Sequence, residues 1–369
     1  MKKRWLSVAM SAVLVCSMAG CSLKSPAPST TAATTAAEAA QEKAEAQGEA
    51  EAEAQEGNDY SNVEPEITLV YAEVNPPDTI MGQMAENYAE NVARLSEGKI
   101  KIDVRSSGVL GSENDVVDAM FGGNGTVDMS RISAFILNAY GCEKSVLLSL
   151  PYTFRDRDHF WAFAESDLAD EFLSEPHEIG LGVRGLFYCE EGFRHFFTTK
   201  EISGLEDLKG LKLRVSNDPI MNGMVEGLGA NPTVVSYNEL YSALQTGVVD
   251  GAENPVNNYK SNAFTEVAPY LILDGHTLGA SEVIMTDEAW DKLTEEQQNI
   301  LMEASAMTAD FNHKMSEDAE NATLEEIKAE GIHVIDVNDK TPWQEACKDV
   351  IDASTTETRD LYDQLIALK

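Results

Sequence analysis

The chain has 369 residues, which is enough for two domains that each bury a core. It carries 63 acidic and 27 basic side chains, for a formal net charge of -36 at pH 7, and such a surface repels nucleic acid and anionic headgroups. Because of this charge, the sequence predicts no nucleic-acid partner. The histidines are scattered and no CxxC pair is present, so no structural metal site is predicted, and no cofactor is predicted either.

Residues 1–21 have the features of a secretory signal. Three basic residues precede an apolar stretch from Leu6 to Val15, which is too short to span a membrane, and small residues then lead to Cys21. This ending resembles the lipobox of bacterial lipoproteins, which implies cleavage before Cys21 and a lipid on that cysteine. The alternative is a soluble secreted protein in which Cys21 is incidental.

The cysteines downstream of the signal are Cys142, Cys189 and Cys347. An exported compartment permits disulfides, but three thiols leave one unpaired. The sequence therefore leaves open which pair forms, if any does.

Residues 22–64 consist mainly of Ala, Glu, Gln, Thr, Ser and Pro, with no aromatic side chain before Tyr60. Such a segment cannot bury enough apolar surface to offset the entropy lost on ordering. We therefore predict a tether that holds a folded body away from the membrane.

The folded body begins with alternating strands and helices. The apolar run from Ile67 to Val74 predicts a strand, and apolar residues at helical spacing from Ile80 to Leu95 predict a helix that ends before Gly98. The stretch "KIKIDV" alternates as a strand does, and "SENDVVDAMFGG" has a capping start and a glycine stop. This repetition favours α/β lobes with largely parallel sheets.

The second half continues the same pattern. "GLKLRV", from Gly210 to Val215, alternates apolar and basic residues and predicts a short strand. Ser236 and Glu239 match a capping box, and "VDGAENP" places Asn254 in a turn-like segment after the capped helix. Ligands of α/β proteins bind where such strand and helix ends meet.

Thr294 and Gln297 match a capping box at the start of a helix that can extend to Gly331. At 1.5 Å per residue this helix would be about 50 Å long, enough to lie across two lobes. One face is predicted to be apolar and carries Ile300, Leu301, Ala304, Met307, Phe311 and Met315.

The sequence contains no GxSxG, Walker A or HExxH motif and no GxGxxG after a strand, so no catalysis is predicted. A secreted glycoside hydrolase would need two carboxylates flanking a cleft, and no spacing singles out such a pair. Two arginines stand out instead as candidates for binding an anion: Arg194, among aromatic residues in "EGFRHFF", and Arg214 in "GLKLRV".

Four blocks resemble, in order and spacing, the extracytoplasmic solute receptors of tripartite ATP-independent periplasmic (TRAP) transporters, the DctP family. They are "LPYTFRDRDHFW", "EGFRHFFTTKEISGLEDLKGLKLRV", "YNELYSALQTGVVDGAENP" and "EVAPYLILDGH". The resemblance extends upstream through "GKIKIDV" and "GVLGSENDVVDAM" and downstream through "AWDKLTEEQQNIL", and so covers the chain from about residue 66 to 330.

The resemblance implies a role for four residues. Arg214 matches the arginine that forms a bidentate salt bridge with the substrate carboxylate, a geometry that suits a planar guanidinium; the alternative is a solvated strand residue. Arg194 matches a second anion-binding arginine, or else forms a structural salt bridge. Asn254 matches a ligand-binding asparagine, or else supports a turn before Pro255. Tyr237 matches an aromatic that packs on the ligand, or else belongs to the core.

Further polar candidates are Glu73 and Asn75, which end the first strand and are expected to accept from and donate to ligand hydroxyls. Arg131 and Glu282 are candidates because the resemblance places them where receptors for sugar acids often carry polar contacts. The alternative is that these four are polar residues at the surface that do not contact a ligand. His276 is expected to be a hydrogen-bonded hinge residue rather than a ligand contact.

The resemblance implies an α/β, two-lobed fold like that of type II periplasmic binding proteins, with parallel or mixed sheets and a long helix across both lobes. The expected lobes are residues 66–191 plus 280–320 and residues 192–279 plus 321–369. The expected function is capture of a small organic anion, a sugar acid such as a uronate or a dicarboxylate, outside the cytoplasm and its delivery to a membrane permease. An ABC-type binding lipoprotein is the main alternative.

Overall fold

The computed structural model describes Tyr60, residues 62–123 and residues 125–369. The signal sequence and Cys21 lie outside these residues, as does most of the predicted tether. Within the described part, no helix is both long enough and apolar enough to cross a membrane. Cys142, Cys189 and Cys347 are buried and free.

The strands of the described part are β1 (Ile67–Ala72), β2 (Ile100–Arg105), β3 (Met129–Ser133), β4 (Val183–Thr198), β5 (Lys212–Val215), β6 (Asn231–Val234), β7 (Gly251–Pro255), β8 (Tyr270–Thr286) and β9 (His333–Asp336). The helices are α1 (Ile80–Leu95), α2 (Glu113–Phe121), α3 (Val146–Ser149), α4 (Arg157–Ala164), α5 (Asp167–Glu178), α6 (Pro219–Gly227), α7 (Leu240–Gln245), α8 (Val256–Ser261), α9 (Asp287–Trp290), α10 (Glu295–Ala329), α11 (Thr341–Ser354) and α12 (Arg359–Ala367). Short 3-10 helices span Ala134–Tyr140, Leu205–Leu208, Tyr237–Glu239 and Phe264–Glu266.

These strands form one mixed sheet in the order β2-β1-β3-β8-β4-β7-β5-β6, with β9 paired to β8. The pairs β1–β2, β1–β3, β5–β6, β5–β7 and β8–β9 are parallel. The pairs β3–β8, β4–β7 and β4–β8 are antiparallel. The sheet is therefore less uniformly parallel than the strand-helix repetition alone predicts.

Strands β4 and β8 are 16 and 17 residues long and pair with each other over most of their lengths. They connect the group β1–β3 at one end of the sheet to the group β5–β7 at the other. The pairing between them shifts register at three places. At one of these, Gly275 adopts a φ of +56°, a conformation that favours glycine, and its N–H donates to His195 Nδ1 at 2.9 Å.

Helix α10 begins with the predicted capping box of Thr294 and Gln297 and has 35 residues, which makes it about 50 Å long. The predicted apolar face is only partly right. Leu301 and Ala304 are buried, but Met307 is 38% exposed, and the buried row continues through Ser305, Thr308, Asn312 and Ser316.

The polar residues of this row are buried because α10 packs against a strand whose backbone needs partners there. Asn312 accepts from the N–H of Glu190 at 2.8 Å and donates to the carbonyl of Glu190 at 3.0 Å. Ser316 donates to the Glu190 side chain. The helix is thus tied to the middle of β4 by side-chain hydrogen bonds rather than by apolar packing alone.

Two local predictions are wrong. Ser236 makes no side-chain cap, because the segment begins as a 3-10 helix in which the N–H of Glu239 donates to the backbone carbonyl of Ser236 at 3.0 Å. Asn254 lies in strand β7 rather than in a turn. By contrast, the capping start of α2 is confirmed, with Ser112 and Asp115 capping each other's backbone N–H. The lobe boundaries stay a prediction.

Candidate ligand-binding site

A cavity of about 160 Å³ lies where the ends of β1, β3, β5 and β7 and the start of α2 meet. We call it the ligand cavity. Six of the eight predicted binding residues line it: Asn75, Arg131, Arg194, Arg214, Tyr237 and Asn254. The other two, Glu73 and Glu282, are not part of its wall. Strand ends from both halves of the sheet therefore converge on one site.

Arg214 lies on β5 between Leu213 and Val215, which are fully buried in the core. It is itself only 3% exposed, so the alternative of a solvated strand residue is wrong. Its Nε donates to the backbone carbonyl of Val235 at 2.9 Å. Among the described residues, no carboxylate forms an ion pair with Arg214, and its remaining N–H groups have no protein acceptor within hydrogen-bond distance.

The burial of the Arg214 guanidinium without a paired carboxylate among the described residues costs free energy. Burial lowers the pKa of Arg214, and the nearby Arg194 lowers it further, while Glu253 partly compensates. A buried cation is ordinarily paired, because removing it from water without a partner costs on the order of several kcal/mol. An anion entering the ligand cavity would supply that partner.

Asn254 lies on the same side of the sheet as Arg214. Arg214 is in register with Ala252 of β7, and side chains alternate along a strand, so Ala252, Asn254 and Arg214 share one face. Among the described residues, Asn254 Nδ2 has no hydrogen-bond acceptor although it is buried. Arg214 and Asn254 therefore present unused donors, the groups that bind a carboxylate.

Asn75 contributes an unused acceptor on the opposite wall. Its N–H and its Nδ2 donate to Glu73 Oε1 at 2.7 and 3.0 Å, which fixes the amide. Its Oδ1 is buried and has no donor among the described residues. Such an oxygen suits a ligand hydroxyl.

Arg194 lines the ligand cavity but is already paired. Its Nε and Nη2 donate to the two carboxylate oxygens of Glu253, the second at 3.0 Å, and its Nη1 donates to Glu191 Oε1 at 3.2 Å. This geometry matches the structural salt bridge that the sequence left open as an alternative. Direct contact between Arg194 and a ligand stays a prediction.

Glu253 connects Arg194 to two further buried ionisable groups, His276 and Asp274. Burial raises the pKa of Glu253, but Arg194 and His276 outweigh it and hold the pKa at about 2. His276 Nδ1 donates to Asp274 Oδ2 at 2.6 Å, and His276 Nε2 lies 3.5 Å from Glu253 Oε2. Burial lowers the pKa of His276, yet these two carboxylates raise it to about 9. The expected hydrogen bonding of His276 is confirmed, and His276 is not part of the cavity wall, while its expected role as a hinge stays a prediction.

Arg131 is the third arginine of the wall and is also paired. Its Nε and Nη2 donate to the two oxygens of Glu73 at 3.1 and 2.6 Å. Glu73 is thereby fully engaged by Arg131 and Asn75, which explains why it orients other side chains instead of facing the cavity. The prediction that Glu73 accepts from ligand hydroxyls finds no support in its position.

Glu282 lies inside the sheet, on β8 between β3 and β4, and is 0% exposed. Neither of its carboxylate oxygens has a hydrogen-bond donor among the described residues. Burial, with a smaller contribution from Glu175, raises the pKa of Glu282 to about 8. Its position does not support the predicted ligand contact.

Sequence reasoning missed several polar residues of the wall, notably Glu113, Glu191 and Asn258. Glu113 begins α2 and accepts from the N–H of Ser133 at 2.6 Å. Glu191 accepts from Asn258 Nδ2 at 2.7 Å. Glu113 directly follows the capping serine after a predicted strand, a position near a sheet edge that could have identified it.

Tyr237 lies beside Arg214, with the guanidinium carbon 5.7 Å from the ring centre. Its hydroxyl accepts from Asn262 Nδ2 at 2.9 Å. The ring of Phe264 stands almost perpendicular to it at 6.1 Å. Tyr237 is therefore held in place beside the buried cation.

Residues 71–358 match the model of the DctP family, described as bacterial extracellular solute-binding protein, family 7. The chain belongs to this family. The C4-dicarboxylate-binding protein DctB of Bacillus subtilis is 30% identical over 285 residues, which cover 77% of this chain and 80% of that protein.

Solved structures of TRAP periplasmic solute-binding proteins have the same fold. One from Pseudomonas putida F1, with bound D-glucuronate, is 29% identical at a TM-score of 0.78 and covers 82% of this chain and 97% of its own. One from a Bradyrhizobium species, in complex with D-galacturonate, is 31% identical at a TM-score of 0.77 and covers 81% of this chain and 99% of its own.

This DctP-family protein is therefore a solute receptor of a TRAP transporter with the two-lobed α/β fold of periplasmic binding proteins. Receptors of this kind act outside the cytoplasm, bind small organic acids and work with membrane permease components. The ABC-type alternative is not favoured.

Proposed function

We propose that this receptor binds a monomeric sugar acid, a uronate or an aldonate, and that Arg214 holds its carboxylate. The observation that carries the proposal is the buried guanidinium of Arg214, which has no ion-pair partner among the described residues and borders the ligand cavity. Related receptors have been solved with bound D-glucuronate, D-galacturonate and L-galactonate.

The charges of the cavity wall favour one carboxylate over two. Arg194 and Arg131 are each paired with glutamates, so Arg214 is the one arginine of the described wall without a carboxylate partner. A C4-dicarboxylate would bring a second negative charge without a free cation to receive it. Its burial beside Glu113 and Glu191 would therefore cost free energy.

The remaining wall suits a hydroxylated ligand. Asn75 and Asn254 have unused hydrogen-bonding atoms, and Ser133, Ser216 and Asn217 add hydroxyl and amide groups. The cavity of about 160 Å³ is well below the roughly 300–1,000 Å³ of sites for drug-sized molecules. A small acid with several hydroxyls matches both features.

The overall charge of -36 does not prevent anion capture. Salt screens exposed charges beyond about 8 Å at physiological ionic strength, so the groups inside the cavity decide the outcome. The carboxylate neutralises the buried charge of Arg214, and the two lobes then close around it by hinge motion and present the ligand to the permease.

We further propose that the mature receptor is attached to the outer face of the membrane by a lipid on Cys21. The support is the lipobox-like ending of the predicted signal sequence. Metabolic labelling with a fatty acid tests this, because the label should enter the wild-type protein and be absent from Cys21→Ser.

A ligand panel tests the proposed substrate class. The receptor is titrated by calorimetry and thermal shift with D-glucuronate, D-galacturonate, L-galactonate, succinate, malate and the neutral sugars glucose and galactose. At least one sugar acid should bind and raise the melting temperature, because ligand that binds only the folded state stabilises it. Preferential binding of the dicarboxylates, or of the neutral sugars, would contradict the proposal.

A further inference from the structure

A second cavity of about 230 Å³ adjoins the ligand cavity. The two share Val74 and Tyr237 in their walls. Five of the eight residues that line the second cavity are aromatic or carry an amide: Tyr237, Tyr241, Phe264, Asn238 and Asn262. Among the described residues of its wall, none carries a charge.

This wall has the chemistry that binds neutral sugar rings. Aromatic rings pack against the apolar C–H face of a sugar, while a few well-placed amides bind its hydroxyls. The contrast with the ligand cavity is sharp, because that cavity is lined by three arginines and two glutamates. The described wall of the second cavity therefore has no cation to pair with a carboxylate, but it has several groups that suit an uncharged ring.

The backbone beside the second cavity is strained at two places. Ser107, in its wall, has a φ of +63°, and Ala263, between Asn262 and Phe264, has a φ of +57°. Left-handed conformations of residues other than glycine cost free energy and cluster at ligand sites. Two of the four such residues in the described part of the chain thus border this cavity.

Tyr237 stands between the two cavities and is fixed there. The Arg214 guanidinium carbon lies 5.7 Å from the centre of the Tyr237 ring, and the ring of Phe264 packs almost perpendicular to it at 6.1 Å. Asn262 Nδ2 donates to its hydroxyl at 2.9 Å and also to the carbonyl of Asn258 at 3.0 Å. These contacts hold the Tyr237 side chain in place between the two cavities.

We propose that Tyr237 determines the length of the ligand. Its ring closes the ligand cavity against the second cavity, so that the receptor accepts one sugar acid and rejects a sugar acid that carries a further ring. The second cavity is a sugar-ring subsite that becomes accessible when residue 237 has a small side chain. This inference rests on the proposed function, since it takes a sugar acid as the ligand.

Calorimetry with acids of two lengths tests the inference. The probes are D-glucuronate, D-galacturonate and disaccharides in which a neutral hexose is joined to either uronate through O1 or O4. Wild-type protein should bind a monomeric acid at least about 100-fold tighter than any disaccharide. Tyr237→Ala should bind one of the disaccharides at least about 10-fold tighter than wild type does.

Three variants separate the effect of ring size from other causes. Tyr237→Phe keeps the ring and should reject the disaccharides as wild type does. Tyr237→Leu, which keeps apolar contact with Phe264, is measured beside Tyr237→Ala so that a folded variant with a smaller side chain is tested. In the Tyr237→Ala background, Asn238→Trp should fill the second cavity and abolish the gain in disaccharide binding.

The outcomes distinguish this inference from the proposed function. If wild-type protein binds no sugar acid, the proposed function fails and the inference fails with it. If wild type binds monomeric acids and already binds a disaccharide equally well, Tyr237 is not a barrier. If the folded variants with small side chains bind monomeric acids only, the second cavity is not a subsite; either result overturns this inference alone.

Discussion

Two walls of the ligand cavity each present a buried arginine, but in opposite electrostatic states. On the β1–β3 wall, Arg131 is paired with Glu73 through two hydrogen bonds, and the charges cancel inside the protein. On the β5–β7 wall, Arg214 has only a backbone carbonyl as its protein partner among the described residues. The same residue type is therefore structural on one wall and available to a ligand on the other, and the partner decides which.

This contrast predicts that the two walls respond differently to mutation. Variants of the paired wall, the β1–β3 side on which Arg131 is paired with Glu73, should lose stability, because they leave one of these two buried charges without its partner. Variants of the open wall, the side with Arg214, should lose ligand affinity with little change in stability, because no carboxylate among the described residues is paired with Arg214.

The largest expected effect is on the paired wall. Glu73→Ala leaves Arg131 buried without its main counter-ion and should lower the free energy of unfolding by about 3–5 kcal/mol in urea titrations. The matched control is Asp103→Ala, which breaks the exposed pair with Arg105 and should cost at most about 1 kcal/mol. Equal effects of the two variants would contradict the structural role of the buried pair.

The next effect is on the open wall. Arg214→Lys removes the planar fork that binds both oxygens of a carboxylate and should weaken sugar-acid binding by on the order of 1.5–3 kcal/mol, with little change in melting temperature. Lys212→Ala, an exposed cation on the same strand, is the control and should bind normally. Unchanged affinity of Arg214→Lys by calorimetry would remove Arg214 from the site.

Glu282 is a buried acidic group that belongs to neither wall, and its titration should change the stability of the protein with pH. Burial raises the pKa of Glu282 to about 8, whereas the unfolded chain has the ordinary glutamate pKa of 4.5. Between these two pH values the carboxyl group of Glu282 is therefore protonated in the folded protein and ionised in the unfolded chain. The contribution of the protonated Glu282 side chain to the free energy of unfolding is therefore fully present below pH 4.5 and lost above about pH 8. Between these values it declines by up to about 1.4 kcal/mol per pH unit.

Glu282→Gln removes this titration, so the variant should lose less stability than wild type between pH 5 and pH 8 in urea unfolding. The two curves should converge at the acidic end, where both side chains are neutral. The raised pKa would be disproved by parallel pH profiles of the two proteins.

The smallest expected effect concerns the amide beside Arg214. Asn254→Ala removes the unpartnered Nδ2 donor and should weaken ligand binding by about 0.5–1.5 kcal/mol, the usual worth of a neutral hydrogen bond. Asn231→Ala removes an exposed amide on β6, the strand that pairs with β5, and should leave binding unchanged. A loss of stability without a loss of affinity would place Asn254 in the core instead.

Much of the architecture was predictable because its signals are local. The alternation of "GLKLRV" identifies β5, and the capping boxes at Ser112 and Thr294 identify the starts of α2 and α10. Each signal depends on residues within a few positions of one another. The resemblance to the receptor family implies that Arg214 binds the ligand, which stays a prediction, whereas its burial at the wall of the ligand cavity is seen only in the structure.

The tertiary structure alone decided which polar groups remain free. Glu73 meets Arg131 across a separation of 58 residues, and Glu253 meets Arg194 across 59, so no local pattern distinguishes these paired residues from Arg214. The polar buried face of α10 likewise exists because Asn312 bonds to β4, far away in sequence. The sequence thus determined the elements and the kind of ligand-binding group, while long-range pairing, which depends on how the strands are brought together, determined its availability.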